Sequence, residues 1–289
     1  MNKLALGTAQ FGSSYGISNI HGQVEIAEIK RILSYAEKVD IRLIDTANSY
    51  GAAESNIGSH DLSKFDIVTK LKKISSSGTS MHSWVLDQVD TSLTKLGAES
   101  IYALLLHSPK DLLSDDGQDL IDALVFVKSK GLVKNIGISI YSPSELDELV
   151  PRFLPDIVQT PLNILDNSIV SSGWLYRLSD LGVEIHARSI FLQGLLLQEH
   201  KDRHNFFYKW RNELQKVDDW VEYSDQTVLE ACLGHALSFE EISYVVVGVT
   251  SVLELEQIVT SIPETTVRAP EHLSSTDHNL ILPTNWQTN

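Results

Sequence analysis

The chain is expected to fold as a single α/β domain, a closed (β/α)8 barrel. Three observations predict it. Short apolar runs recur eight times, helical periodicity fills most of the intervals between them, and several of the runs end on a reactive polar side chain. A right-handed strand-helix-strand step repeated eight times favours a closed barrel over an open sheet. In a barrel the strand interiors fill the core and their C-terminal ends face the substrate cavity, so a reactive group there is a candidate for catalysis.

The strand-like runs are Leu4 to Gly7, Leu43 to Asp45, Ile67 to Thr69, Ile101 to Leu106, Val133 to Ile138, Ile157 to Gln159, Val183 to Ala187 and Tyr244 to Val247. The second, third and fourth lead into Asp45, Lys70 and His107. Helical spacing of apolar residues marks Val24 to Lys38, Ser83 to Leu96 and Leu120 to Lys130. Ser142-Pro143-Ser144-Glu145 reads as a helix start, with a capping serine, a first-turn proline and an acid three residues after the cap. Two stretches break the regularity. Residues 193–227, after the seventh strand, are rich in aromatic and charged side chains and read as a substrate loop or lid. Residues 263–289 show no periodicity and read as a tail that packs along the barrel or frays. The first strand begins at Leu4, leaving no N-terminal hairpin to plug the barrel floor, so the tail or a layer of side chains is expected to cover that end.

Composition excludes several classes of function. The 289 residues are 43% hydrophobic, and 23 Lys and Arg stand against 38 Asp and Glu for a formal charge of −15, which disfavours nucleic acid and anionic membrane as partners. Cys232 is the single cysteine, which rules out an internal disulfide and fits a reducing compartment. The opening residues lack a signal-peptide pattern and no apolar run reaches the ~18 residues of a membrane span, so a cytoplasmic location is expected. His200 and His204 have i,i+4 spacing, but no third ligand accompanies them and no metal is expected. A glycosidase needs two carboxylates across the cavity, and of the acidic residues Asp45 alone is placed for that. No Gly-x-Gly-x-x-Gly follows the first strand, so a Rossmann-type dinucleotide site is not indicated.

Leu6-Gly7-Thr8-Ala9-Gln10-Phe11-Gly12, then Asp45-Thr46-Ala47-x-x-Tyr50-Gly51-x-x-Glu54-x-x-Ile57-Gly58, then Lys70 and His107 on the next two strands, together resemble the aldo-keto reductase superfamily over nearly the whole chain. The resemblance implies a barrel that binds NADP(H) or NAD(H) and reduces carbonyls. Such a reaction needs a hydride donor, which no amino acid provides, and an acid for the developing alkoxide. By the resemblance Tyr50 is the acid, His107 orients the carbonyl, and Lys70 with Asp45 tunes the phenol. A nearby ammonium should lower the pKa of Tyr50, and Asp45 should keep that ammonium charged.

For the cofactor, the resemblance places the nicotinamide carboxamide at Ser139 and Gln159 and the ring beside Arg188. It places pyrophosphate contacts at Ser189 and the turn Leu192, Gln193, Gly194, with Gly7, Thr8 and Asp45 also at the barrel mouth. Gly248, Thr250, Ser251, Glu254 and Gln257 follow at the adenosine end. Three positions depart from the family. Ser139 is followed by Ile140 where an asparagine is usual, Arg188 stands where many relatives carry an aromatic ring, and residues 248–258 contain no cation to hold the 2′-phosphate of NADP. Thr250 and Ser251 at a helix start favour an anion and Glu254 opposes one, so NADPH and NADH are both left open.

The expected substrate is a small-molecule aldehyde, ketone or keto-sugar. Gly137-Ile138-Ser139-Ile140-Tyr141 and Arg188-Ser189-Ile190-Phe191-Leu192-Gln193-Gly194-Leu195 look closest to bacterial proteins of surface-polysaccharide sugar metabolism. Lys201, Arg203, Lys209 and Arg211 could form a basic patch for a phosphorylated sugar, and Phe206, Phe207, Tyr208, Trp210 and Trp220 could line or lid the pocket or simply anchor their loop. The competing reading is a nucleotide-binding regulatory or partner protein with little turnover, as some members of the superfamily are. Nothing in the chain sets an oligomeric state.

Overall fold

The computed structural model describes residues 2–74 and 80–286; residue 1 and the last three residues of the expected tail lie outside it. Eight parallel strands close into a barrel in chain order: β1 (Leu4–Gly7), β2 (Leu43–Asp45), β3 (Asp66–Leu71), β4 (Ile101–Leu106), β5 (Val133–Ser139), β6 (Ile157–Pro161), β7 (Glu184–Arg188) and β8 (Tyr244–Gly248). Closure comes from β8 pairing with β1. Gly7 lies opposite Asp45 on one side and Gly248 on the other, so the C-terminal ends of these three strands are level.

Most strand residues are buried on both faces, which explains why the runs read as continuous apolar stretches rather than alternating ones. Ala5, Leu43, Val68, Ala103, Leu105 and Ile157 fill the barrel interior. Residues facing the other way, such as Ile44, Ile67, Leu104 and Ile185, join the larger core beneath the outer helices. Several strands run further than their apolar runs. Lys70 lies inside β3, Ser139 ends β5, and β6 continues through Thr160 and Pro161, because the ladder with the next strand extends past the first polar side chain.

The outer helices include Ile26–Lys38, Met81–Leu96 and Gly117–Ser129, each within three residues of its expected start. Ser80 caps the second by accepting the Ser83 N–H, and Gly97 ends it in the left-handed region at φ 62°. At 142–145 half of the expected capping box forms. The Glu145 carboxylate accepts the N–H groups of Tyr141 and Ser142, both at 2.9 Å, while the Ser142 hydroxyl bonds Ser144 instead of Glu145.

The segment 193–227 is anchored by its aromatic and aliphatic side chains. It forms 3-10 turns followed by the helix Arg211–Tyr223, and Phe207, Trp210, Leu214 and Val217 are buried in a second core with Ala269, Leu273, Leu280 and Ile281 of the tail. The tail therefore packs on this segment, where Trp210 Nε1 donates to Asp277 at 2.8 Å, and not beneath the barrel. The floor is closed by side chains: Tyr102 donates to Glu184 at 2.7 Å, Glu184 bonds His186 at 2.6 Å, and the His186 ring meets Tyr244 edge-on. No described helix is long and apolar enough to cross a membrane.

Candidate active site

Each strand end delivers one part of the site. Asp45 ends β2, Lys70 is the fifth residue of β3 and His107 follows β4 directly. The Lys70 ammonium donates to Asp45 Oδ2 at 2.6 Å and to the Thr46 carbonyl at 2.9 Å, and both side chains of the ion pair are buried. Asp45 Oδ1 accepts from Gln159 Nε2 at 2.7 Å, and Gln159 Oε1 accepts from the Ser139 hydroxyl at 3.2 Å. Four predicted residues thus form one buried hydrogen-bonded chain, which satisfies a charge pair that would be costly to bury alone.

Tyr50 comes from the turn after β2. Its ring lies 5.2 Å from the Lys70 ammonium and 5.9 Å, edge-on, from the His107 ring. The backbone holds it by a close approach of two glycines. A Cβ at Gly12 would meet the Tyr50 carbonyl oxygen at 1.7 Å, and one at Gly51, whose φ is +57°, would meet the Gly12 oxygen at 2.3 Å. The glutamate of the same motif is structural: Glu54 is buried and accepts from Thr69 at 2.7 Å, next to Lys70.

The electrostatics correct one expectation. Burial, and after it the Asp45 charge, push the Tyr50 phenol above its ordinary range, and Arg188 is a cation that pulls it back. The Lys70 ammonium is engaged by Asp45 and Thr46, and its own pKa is lowered by burial despite Asp45. His107 is pushed down to about 4 by burial and by the Lys70 and Arg188 charges, so it is neutral at pH 7. Its Nδ1 lies 3.1 Å from the Ser49 hydroxyl. A neutral imidazole carries one proton; in the tautomer in which Ser49 donates to Nδ1, that proton is on Nε2.

Tyr50 and His107 line a cavity of about 570 Å³ that reaches from Asp45 to Thr250 and Glu254. Gly7, Thr8, Ser139 and Gln159 line it, as do Arg188, Ser189, Gln193, Gly194 and Gly248. Three predicted contacts fall elsewhere. The Leu192 side chain is buried in the second core, Ser251 caps the helix Val252–Thr260 by accepting the Glu254 N–H, and Gln257 lies further along that helix, outside the lining. The basic patch is absent from the cavity lining: Lys201 pairs with Glu199, Arg203 with Asp218, and Lys209 and Arg211 lie over Trp210 and Tyr208. His200 and His204 sit on separate turns, with His204 Nδ1 capping Phe206.

The sequence model of the Aldo/keto reductase family matches residues 3–271. The chain belongs to that family. It is an NAD(P)H-dependent oxidoreductase. It is 25% identical to L-glyceraldehyde 3-phosphate reductase of Escherichia coli O157:H7, over 92% of this chain and 88% of that one. The enzyme of the same name from Escherichia coli K12 is 24% identical, over 95% and 90%. Among solved structures, the holo form of an aldo-keto reductase from Bacillus halodurans superposes with a TM-score of 0.75 at 21% identity, covering 92% of this chain and 88% of that one.

The lining of this aldo-keto reductase suits a dinucleotide. The volume lies within the ~300–1,000 Å³ of small-molecule sites, and hydroxyl and amide donors from Ser139, Gln159, Ser189 and Gln193 are spread along it. Ser189 and Gln193 hold positive φ values of 60° and 54°, a conformation that clusters at ligand clamps. The Arg188 guanidinium donates to the Ile140 carbonyl at 2.9 Å and to Ser189 at 3.1 Å and stacks 4.8 Å from the Tyr141 ring. Sequence reasoning missed Ser49, Tyr141 and the loop residues Tyr15 and Ser18, which meet Gln193 across the mouth. Ser49 lies within the recognised motif and Tyr141 beside Ser139, so adjacency was the available signal. Pro283 and Thr284 of the tail also line the cavity, and no local signal marks them.

Proposed function

We propose that the protein reduces the carbonyl of a small aldehyde, ketone or keto-sugar, with Tyr50 as general acid. The observation that carries this reading is the meeting of Tyr50 and His107 on one cavity above the buried Lys70–Asp45 pair. When bound, the nicotinamide supplies the hydride. Ser139, Gln159 and Arg188 would hold it at the catalytic end, and Ser189, Gln193 and Gly194 would flank it along the mouth. His107, neutral and protonated on Nε2, donates to the carbonyl oxygen and fixes its orientation. Tyr50 transfers its phenolic proton to the developing alkoxide. Its raised pKa keeps the phenol protonated through the neutral range, and Arg188 is the cation that favours the phenolate left behind. Asp45 and Gln159 hold Lys70 in place.

The substrate class rests on the relatives in Escherichia coli, named for a small phosphorylated aldehyde, and on the keto-sugar resemblance of the segments after β5 and β7. Replacing Tyr50 with Phe is expected to lower kcat for a panel of aldehydes and keto-sugars by about 10²–10⁴-fold while nucleotide binding persists. Unchanged turnover in that variant rules out the proposed acid. No turnover by the wild type alongside intact nucleotide binding favours the regulatory reading.

A further inference from the structure

Resting on the reductase reading, we infer that Glu254 makes this enzyme selective for NAD(H) over NADP(H), by filling the place of a 2′-phosphate and offering the ribose a hydrogen-bond acceptor instead. At the end of the cavity away from Tyr50, both donors of Thr250 are already occupied by a carboxylate. Glu254 Oε2 accepts the Thr250 N–H at 2.6 Å and Oε1 accepts the Thr250 hydroxyl at 2.8 Å. The first N–H of the helix, that of Val252, donates to Glu28 Oε1 at 2.7 Å, and the Glu254 N–H is taken by Ser251. Two carboxylates thus take the Thr250 donors and the first helix N–H, groups that would otherwise attract an anion.

A dianionic phosphate would have to displace the Glu254 carboxylate from both Thr250 donors and then lie beside its charge. No Lys or Arg among the described lining residues stands beside Glu254 to relieve that repulsion. Among the described residues that line the cavity, Arg188 is the one Lys or Arg, and it sits at the catalytic end with its guanidinium held by Ile140 and Ser189. Arg31 is engaged by Glu28 Oε2 at 2.8 Å and lies outside the lining. A ribose bearing a free 2′-hydroxyl meets the opposite situation. Each carboxylate oxygen of Glu254 has accepting capacity left after one hydrogen bond, and an acidic side chain at a ribose diol is a recognised way to select NAD.

The test is direct binding, read by fluorescence titration of NADH and NADPH and by calorimetry with AMP and adenosine 2′,5′-bisphosphate, which differ only in the 2′-phosphate. Wild type is expected to bind NADH at least about tenfold more tightly than NADPH, and AMP more tightly than the bisphosphate. Glu254→Gln keeps the shape and an acceptor but removes the charge, and should narrow both ratios through tighter binding of the phosphorylated member. The wild-type comparison stands even if that variant fails to fold. Equal or tighter binding of NADPH by the wild type overturns this inference alone, as does an unchanged ratio in a folded Glu254→Gln protein. Failure of all four probes to bind overturns the reductase reading and the selectivity with it.

Discussion

At the residue scale the candidate site is a matter of protonation states. Tyr50, the proposed acid, and His107, the proposed hydrogen-bond donor to the carbonyl, are moved in opposite directions by the same surroundings, because burial penalises the charged form of each: phenolate for one, imidazolium for the other. Both are therefore in their neutral, proton-donating forms over a wide range. The expected consequence is a kcat/KM for carbonyl reduction that stays flat between about pH 5 and about pH 9, without the inflection near ~6.5 of an ordinary histidine. A pH-rate profile checks this, and an inflection near 6.5 that disappears in His107→Gln would contradict the neutral-imidazole assignment. Asp45, Lys70 and His107 were legible because each ends or follows an apolar run. The direction of the Tyr50 shift was not legible, since it depends on how completely Asp45 absorbs the Lys70 charge and on how deeply the ring is buried.

At the scale of elements, the barrel places the chemistry and one loop contact aims it. Strand order puts Asp45, Lys70 and His107 on neighbouring strands, while Tyr50 depends on the turn between β2 and the helix Ala53–Gly58 lying against the short helix Ala9–Gly12. Gly12→Ala should push that turn away and lower kcat/KM together with an overpacking cost of about 1–3 kcal/mol. Gly131→Ala, where a side chain meets nothing within 4 Å although φ is +74°, should cost stability without loss of activity. Assays and melting curves of the two variants separate aim from strain, and equal activity in both would show that the glycine contact does not position Tyr50. Strand positions were readable to within two residues because burial on both faces leaves continuous apolar runs. Strand ends were less so, since Ser139, Thr160 and Arg188 are polar residues still paired in the sheet.

At the scale of the whole molecule, the tail completes the structure by covering the segment 193–227 and reaching the cavity with Pro283 and Thr284. One anchor is His235, buried on the helix Val228–Leu237, whose Nδ1 accepts the Ala269 N–H at 3.1 Å. Burial, with Arg268 nearby, pushes its pKa down to about 4. A histidine whose folded pKa lies below its unfolded ~6.5 contributes stability above that value, and the contribution is lost as pH falls toward 4 because the unfolded chain takes up the proton first. Wild type should therefore lose about 2 kcal/mol more between pH 7 and pH 5 than His235→Gln, measured by denaturant unfolding. Equal losses would mean that His235 does not titrate in this way.

The sequence by itself determined the eight-step barrel, the strands that carry Asp45, Lys70 and His107, and the motif that carries Tyr50. These follow from local periodicity and from residues close together along the chain. Tertiary structure alone decided that the aromatics of 193–227 form a core with the tail, that the cations expected beside the substrate lie outside the cavity lining, and that Thr250 answers to Glu254. The tail contacts join residues tens of positions apart, so no local pattern encodes them. The Thr250–Glu254 pair is only four residues apart, yet hydrogen-bonding choice at a helix start depends on which donors the neighbouring Glu28 has already taken.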